Sequence, residues 1–245
     1  MKRHLCGVRA VLEALRADPR AMVVVYVSDA SPRGALAEVI QAAQSAKVTV
    51  EPVSALHLEG LARGVRHQGV VAVAGADYPY LDLDALLARA RGLSSSPLLV
   101  ALDEITDPHN FGAIVRSAVA LGAHGVITLK DRAAPVTATV VRASAGATEH
   151  ASIARVTNLS RALESLRDEG YTAVGLAGEG AVPLRELDLT GPTVLVVGSE
   201  GTGLRRLVRE RCDSLARIDL AGPVSSLNAS VAAGIALYEA SRQRA

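Results

Sequence analysis

The chain has 245 residues, 49% of them hydrophobic, a net charge of +1 and few aromatics: one Phe, five Tyr and no Trp. That is apolar side chain enough for a real core, in one large or two modest domains. It excludes a strongly basic nucleic-acid coat and a base-stacking platform for single strands. No apolar run is long and unbroken enough to cross a bilayer. The N-terminal MKRHLCGVRAVLEALRAD mixes charges into its apolar positions, unlike a secretory leader. Cys6 and Cys212 make neither a disulfide framework nor a metal cluster. The expectation is a cytoplasmic protein without a metal and without a membrane partner.

Residues 1–75 read as a small α/β unit. They carry nine Lys and Arg against six Asp and Glu, a mild excess compatible with phosphate contacts. Val8, Val11, Leu12 and Leu15 fall at helical spacing over 7–16. Strands are expected at 22–27, 48–53 and 70–74, the first from a β-branched run. A helix starting at Pro32 and ending near Ala46 turns Leu36, Val39, Ile40 and Ala43 inward, and a short helix is expected at 56–61. Before the last strand stands His67-Gln68-Gly69. The Gln68 amide has the donors and acceptor to read RNA edges; a plain turn accounts for it equally well.

Residues 76–96 hold Pro79 and a run of serines at 94–96, the composition of an interdomain connector. Within them, 81–91 fit a short amphipathic helix. From Leu98 on, apolar strands alternate with helices. Strands are expected at 98–102, 126–129, 152–156, 173–176, 193–197 and 215–218. Helices are expected at about 111–121, 136–145, 159–169, 204–211 and 227–242. Such alternation implies a mostly parallel sheet covered on both faces. Ligands of such sheets sit beyond the carboxyl ends of the strands. The unusual loops here follow strands: DEITDPHN, GSEGTG and AGPVSS.

In the first loop Pro108 biases Asp107 away from helix, and Asn110 reads as the cap of the helix that follows. On that helix Ile114, Ala118 and Leu121 form the inward stripe. Arg116 lies about 200° around from Ile114 and points away from the core. A solvated surface arginine and a holder of phosphate or a developing oxyanion both fit that position. In the second loop the glycines fall as GxxGxG, neither a P-loop nor the dinucleotide spacing. Glu200 in that turn would repel a pyrophosphate and suits a cationic or hydroxyl-bearing partner such as Arg116. In the third, Ser225 or Ser226 reads as the cap of a small-residue helix. Val231, Ile235 and Tyr238 make one apolar stripe on it, and Ala229, Ala232, Ala233, Gly234 and Ala236 cover much of the rest.

Together these stretches resemble the SpoU (TrmH) family of RNA 2′-O-ribose methyltransferases. TDPHNFGAIVRSA (106–118), LVVGSEGTGL (195–204) and IDLAGPVSSLNASVAAGIALYEA (218–240) look like its three motifs, in order. DRAAP, GATEHASIARVTNL and HQGV extend the match. The nearest likeness is to the branch that methylates a guanosine of 23S ribosomal RNA. Phe111 stands where leucine is usual in the family, which leaves the chemistry untouched.

The resemblance implies a fold and a site. The fold is α/β: a C-terminal SPOUT-type domain over 97–245, with a parallel sheet and a trefoil knot, joined to an N-terminal L30e-like α/β domain over 1–75 that binds the RNA substrate. S-adenosyl-L-methionine would bind in the knot loops, with contacts from Gly198, Ile218 and Leu227 and from their neighbours Leu220, Ser226 and Asn228. The catalytic set would be Asn110, Arg116, Glu200, Ser226 and Asn228, with Glu200 orienting Arg116. The implied partners are 23S rRNA and a second copy of the chain, the last helix packing across the homodimer. The same chemistry on tRNA or another rRNA site, and a non-catalytic RNA-binding assembly factor, are the alternatives. A nicotinamide-dependent oxidoreductase is disfavoured by the glycine spacing.

Overall fold

The structure, a computed structural model, describes residues 2–29 and 34–245; the expected helix start at Pro32 lies outside them. The chain divides into two compact units. One comprises Met1–Pro79 and Pro135–His150, the other Tyr80–Ala134 and Ala151–Ala245.

The first unit contains β1 (Arg3–Cys6), α1 (Val8–Ala17), β2 (Met22–Ser28), α2 (Ala35–Ser45), β3 (Thr49–Val53), α3 (Ala55–Ala62) and β4 (Val70–Ala74). The sheet order is β1-β4-β2-β3, with only β2 and β3 parallel. β4 is buried along its whole length, as its unbroken Val/Ala run requires. The edge strand β1 escapes a reading by period because Arg3-His4-Leu5-Cys6 is too short and half polar. Gln68 acts inside the fold: at φ 54° its Oε1 accepts the Val8 backbone N–H at the start of α1. His67 likewise bonds locally, its Nδ1 accepting from Gly69 N at 3.1 Å.

Residues 135–150 belong to this unit although they fall within the expected methyltransferase stretch. Arg3 forks onto Glu149 at 2.7 and 2.8 Å, both side chains at most 10% exposed. Tyr78 Oη donates to Thr148 O at 2.8 Å. A Cβ on Gly146, at φ 87°, would stand 2.7 Å from Glu13 Cβ and 3.2 Å from Ala10 Cα. Only glycine allows this close approach to α1.

The second unit contains α4 (Leu83–Leu93), β5 (Leu98–Asp103), α5 (Pro108–Ala120) and β6 (Gly125–Leu129). After α6 (Ala138–Ala143), which sits in the first unit, come β7 (Ile153–Val156), α7 (Leu159–Asp168), β8 (Thr172–Leu176), β9 (Val182–Pro183) and β10 (Thr193–Gly198). The unit ends with α8 (Arg206–Arg209), β11 (Ser214–Arg217) and α9 (Ala229–Gln243). Its sheet has the order β7-β6-β5-β10-β8-β11-β9, and every pair is parallel. Leu99, Ala101, Ile127, Val194 and Val196 bury against Leu86, Leu87 and Ala90 of α4, Leu163 and Leu166 of α7, and Val208 of α8. The alternate residues Val100, Leu102, Val126, Leu195 and Val197 are as deeply buried and face the other way, the side taken by α5 and α9. A sheet sandwiched in this way needs apolar residues at both parities, which is why its strands read as continuous runs.

Two caps differ from the sequence expectation. Asp107, not Asn110, caps α5: its carboxylate accepts from His109 N at 3.1 Å and Asn110 N at 3.2 Å, with Pro108 in the first turn. Asn228, not Ser225 or Ser226, caps α9, accepting from Ser230 N at 2.9 Å and Val231 N at 3.3 Å. The predicted apolar stripe of α9 also faces outward. Val231, Ile235 and Tyr238 are 48%, 38% and 61% exposed, while Ala229, Ala233, Ala236, Leu237 and Ala240 are buried. The small face goes inward because α9 lies close on α5, where a Cβ on Gly234 would be 3.7 Å from Ser117 Oγ.

Candidate active site

The strand order places four carboxyl ends side by side: β5, β10, β8 and β11. Gly198 at the end of β10 is in register with Asp103 at the end of β5. The loop after β10 doubles back on itself. Ser199 N donates to Gly203 O at 3.2 Å and Gly203 N to Ser199 O at 2.9 Å, with Gly201 and Gly203 at φ 83° and 64°. A Cβ on Gly198 would sit 2.2 Å from Gly203 C, so this turn exists only without a side chain there.

Asp103 ties this loop to β5. Fully buried, it accepts from Arg205 N at 2.8 Å and Arg205 Nε at 2.7 Å, with Nη2 at 2.6 Å. Glu104, at φ 56°, pairs with Arg132 at 2.9 Å and Arg205 at 3.3 Å. Asp103→Asn keeps the shape and removes the charge, leaving a partly desolvated guanidinium without its buried partner. The expected loss is about 3 kcal/mol, the low end for breaking a buried pair because Arg205 keeps some solvent contact. Urea denaturation should show a lower midpoint at unchanged slope.

Once Asp107 has capped α5, the Asn110 side chain is released to the loops. It is 7% exposed, and its Nδ2 donates to Glu200 Oε1 at 2.9 Å. Asn228 Nδ2 donates to Asn110 Oδ1 at 2.9 Å and also to Glu200 Oε1. One residue from each motif thus meets in a closed set of hydrogen bonds. The Glu200 carboxylate is held by two amides and not, as expected, by Arg116. Arg116 is exposed on α5 and makes no hydrogen bond or ion pair among the described residues. Ser226 is exposed in the loop before α9 and stands outside this set.

Beside the set lies a cavity of about 600 Å³. All six residues expected to touch the cofactor line it: Gly198, Ile218, Leu220, Ser226, Leu227 and Asn228. The sequence reading missed one wall, Leu176 at the end of β8 with the loop after it to Glu179, and Arg209 of α8. A signal was present. That loop reads Ala-Gly-Glu-Gly directly after a strand, and a Cβ on Gly180 would meet Ala216 C at 2.6 Å, the same close approach as at Gly198. Among the described residues no group of His, Cys, Asp and Glu could hold a metal ion, and no helix is long and apolar enough to cross a membrane. Burial pushes the Cys6 thiol up to about 11 and the Cys212 thiol up to about 12, so neither is a thiolate at neutral pH.

A parallel sheet whose strand-end loops line a cavity is an architecture that binds small ligands, and here it belongs to a methylase: the chain is a member of the SpoU rRNA Methylase family. The model of that family matches residues 97–238, and a model for RNA 2′-O ribose methyltransferase substrate binding matches residues 4–80. Among particular relatives, the 23S rRNA (guanosine-2′-O-)-methyltransferase RlmB of Ralstonia nicotianae is 44% identical over 98% of this chain and 95% of its own. RlmB of Photorhabdus laumondii is 42% identical over 100% and 99%. Among solved structures, the SpoU methyltransferase AviRb of Streptomyces viridochromogenes, in complex with AdoMet, superposes with a TM-score of 0.82 at 31% identity, covering 99% of this chain and 90% of its own. An AdoMet-bound rRNA methyltransferase of Sinorhizobium meliloti gives 0.79 at 28%, covering 98% and 87%.

Proposed function

We infer that this protein transfers a methyl group from S-adenosylmethionine to the 2′-oxygen of a guanosine ribose in 23S rRNA. The observation that carries this is the cavity walled by the neighbouring ends of β10, β8 and β11, with the Asn110–Glu200–Asn228 set at its edge. Its volume lies within the ~300–1,000 Å³ of small-molecule sites. Bare backbone at Gly178 and Gly203 permits close approach by a ligand, and Leu176, Ile218 and Leu220 supply apolar wall. These residues, with Ser226, Leu227 and Asn228, would hold the cofactor. When bound, S-adenosylmethionine supplies an electrophilic methyl group on a sulfonium.

A 2′-hydroxyl is a weak nucleophile, so the protein's part is to position it and stabilise charge as its proton leaves. Arg116 does this in our reading. Its planar guanidinium serves as a fixed cation with five donors and no acceptor, and not as a base. Exposed as it is, it can hold an RNA phosphate and the incipient alkoxide. Asn110, Asn228 and Glu200 form a pre-set group of donors and acceptor against which the ribose is placed, and Ser226 lies on the same rim. The first unit presents the RNA. The outward stripe of Val231, Ile235 and Tyr238 supports a homodimer through α9, since large apolar side chains in one row mark an interface. The trefoil knot and a cytoplasmic location belong to the same reading.

The test is transfer of tritiated methyl from S-adenosylmethionine to 23S rRNA purified from a strain that lacks the modification. Label at a guanosine 2′-oxygen is expected. No label, or label in tRNA alone, would overturn the assignment.

A further inference from the structure

The cavity is lined by three charged side chains among the described residues: Glu179, Glu200 and Arg209. That is two anions and one cation. A sulfonium amino acid carries the inverse set: a sulfonium and an ammonium, both positive, and one carboxylate. Glu200 is engaged by Asn110 and Asn228. The remaining two pair with each other, Arg209 Nη1 with Glu179 Oε1.

The two partners of that pair differ in how they are held. Arg209 closes α8, donating its backbone N–H to Arg205 O at 2.9 Å, beside Val208, which is 1% exposed in the core. The segment after it is pinned to the sheet, Asp213 Oδ2 accepting from Ala173 N at 2.8 Å. Glu179 sits between Gly178 and Gly180, its side chain 64% exposed against 33% for Arg209. An exposed ion pair of this kind contributes little. A ligand carboxylate presented inside the cavity can therefore replace Glu179 on the better-fixed arginine, whose planar fork matches a carboxylate in two parallel hydrogen bonds.

We propose that Arg209 binds the α-carboxylate of S-adenosylmethionine, displacing Glu179, whose own carboxylate then receives the ammonium. The proposal rests on reading the cavity as the cofactor site. In the absence of ligand the Glu179–Arg209 pair is a placeholder for the amino-acid end.

Calorimetric titration of the full-length protein tests it with three ligands: S-adenosylmethionine, S-adenosylhomocysteine and decarboxylated S-adenosylmethionine, which lacks only the carboxylate. The wild type should bind the first two about ten- to a hundredfold more tightly than the third, the value of a hydrogen-bonded charge. Arg209→Ala should close that gap, losing affinity for the two carboxylates and little for the decarboxylated form; Arg209→Lys should keep part of it. Equal affinity of the wild type for all three would overturn the proposal without any variant. So would an equal loss for all three in Arg209→Ala, the mark of a structural role. If the wild type binds none of them, the cofactor reading of the cavity falls, and this proposal with it.

Discussion

Gly198→Ala is expected to weaken cofactor binding about ten- to a hundredfold and to slow methyl transfer with it. The added Cβ would stand 2.2 Å from Gly203 C and 2.5 Å from both Gly203 O and Leu204 N. All three are backbone atoms, so no side chain can swing aside. The strand cannot retreat either, because Gly198 is registered against Asp103 in the middle of the sheet. The loop over 199–203 must open instead. That breaks the paired hydrogen bonds of Ser199 and Gly203 and carries Glu200 away from Asn110 and Asn228. Overpacking of this kind costs about 1–3 kcal/mol. Because the strained loop is itself a wall of the cavity, a similar amount should appear in binding, about ten- to a hundredfold in Kd. Calorimetry with S-adenosylmethionine reads it directly. Normal affinity in this variant would show that the loop over 199–203 is not part of the cofactor site.

Arg116→Ala should act in the opposite way, on turnover alone. The side chain is exposed and makes no hydrogen bond or ion pair among the described residues that its loss would break. Thermal stability and S-adenosylmethionine affinity should therefore stay near wild type. If the guanidinium steadies the developing alkoxide, kcat should fall by about 10²–10³, the usual effect of removing one such donor. Lysine at the same position should recover only part, since it keeps the charge and loses the planar fork. Near-normal kcat in Arg116→Ala would remove this residue from the catalytic set.

Much of the catalytic unit could be read from residue order because its physics is local. Strands buried on both faces are continuous apolar runs, and loops that must approach a ligand closely need glycine and short polar side chains. Spatial order is a different matter. That β10 inserts between β5 and β8 is a long-range pairing choice which no local period encodes. The caps were misread where two eligible residues stood close together: Asp107 and Asn110 can both cap, and Pro108 at the first helical position was the clue in favour of Asp107. That exchange matters for the site, since an Asn110 spent on its own helix could not reach Glu200. On α9 the period located the Val231–Ile235–Tyr238 stripe but not its direction, because helices packed at close range bury their alanines. The wall at Glu179 and Arg209 went unread because its glycines matched none of the recognised motifs. The place of 135–150 in the first unit rests on long-range contacts such as the Arg3–Glu149 pair, whose partners are 146 residues apart.

We propose that strand-end loops grip a methyl donor while Arg116 engages the ribose to be modified. Nucleotide-resolution mapping of 2′-O-methylation in 23S rRNA tests it most directly, in cells with the wild-type protein, without it, and with Arg116→Ala in its place. One guanosine should be methylated in the first and unmethylated in the second and third. An unchanged 23S rRNA map on deletion, or full methylation by Arg116→Ala, would contradict it.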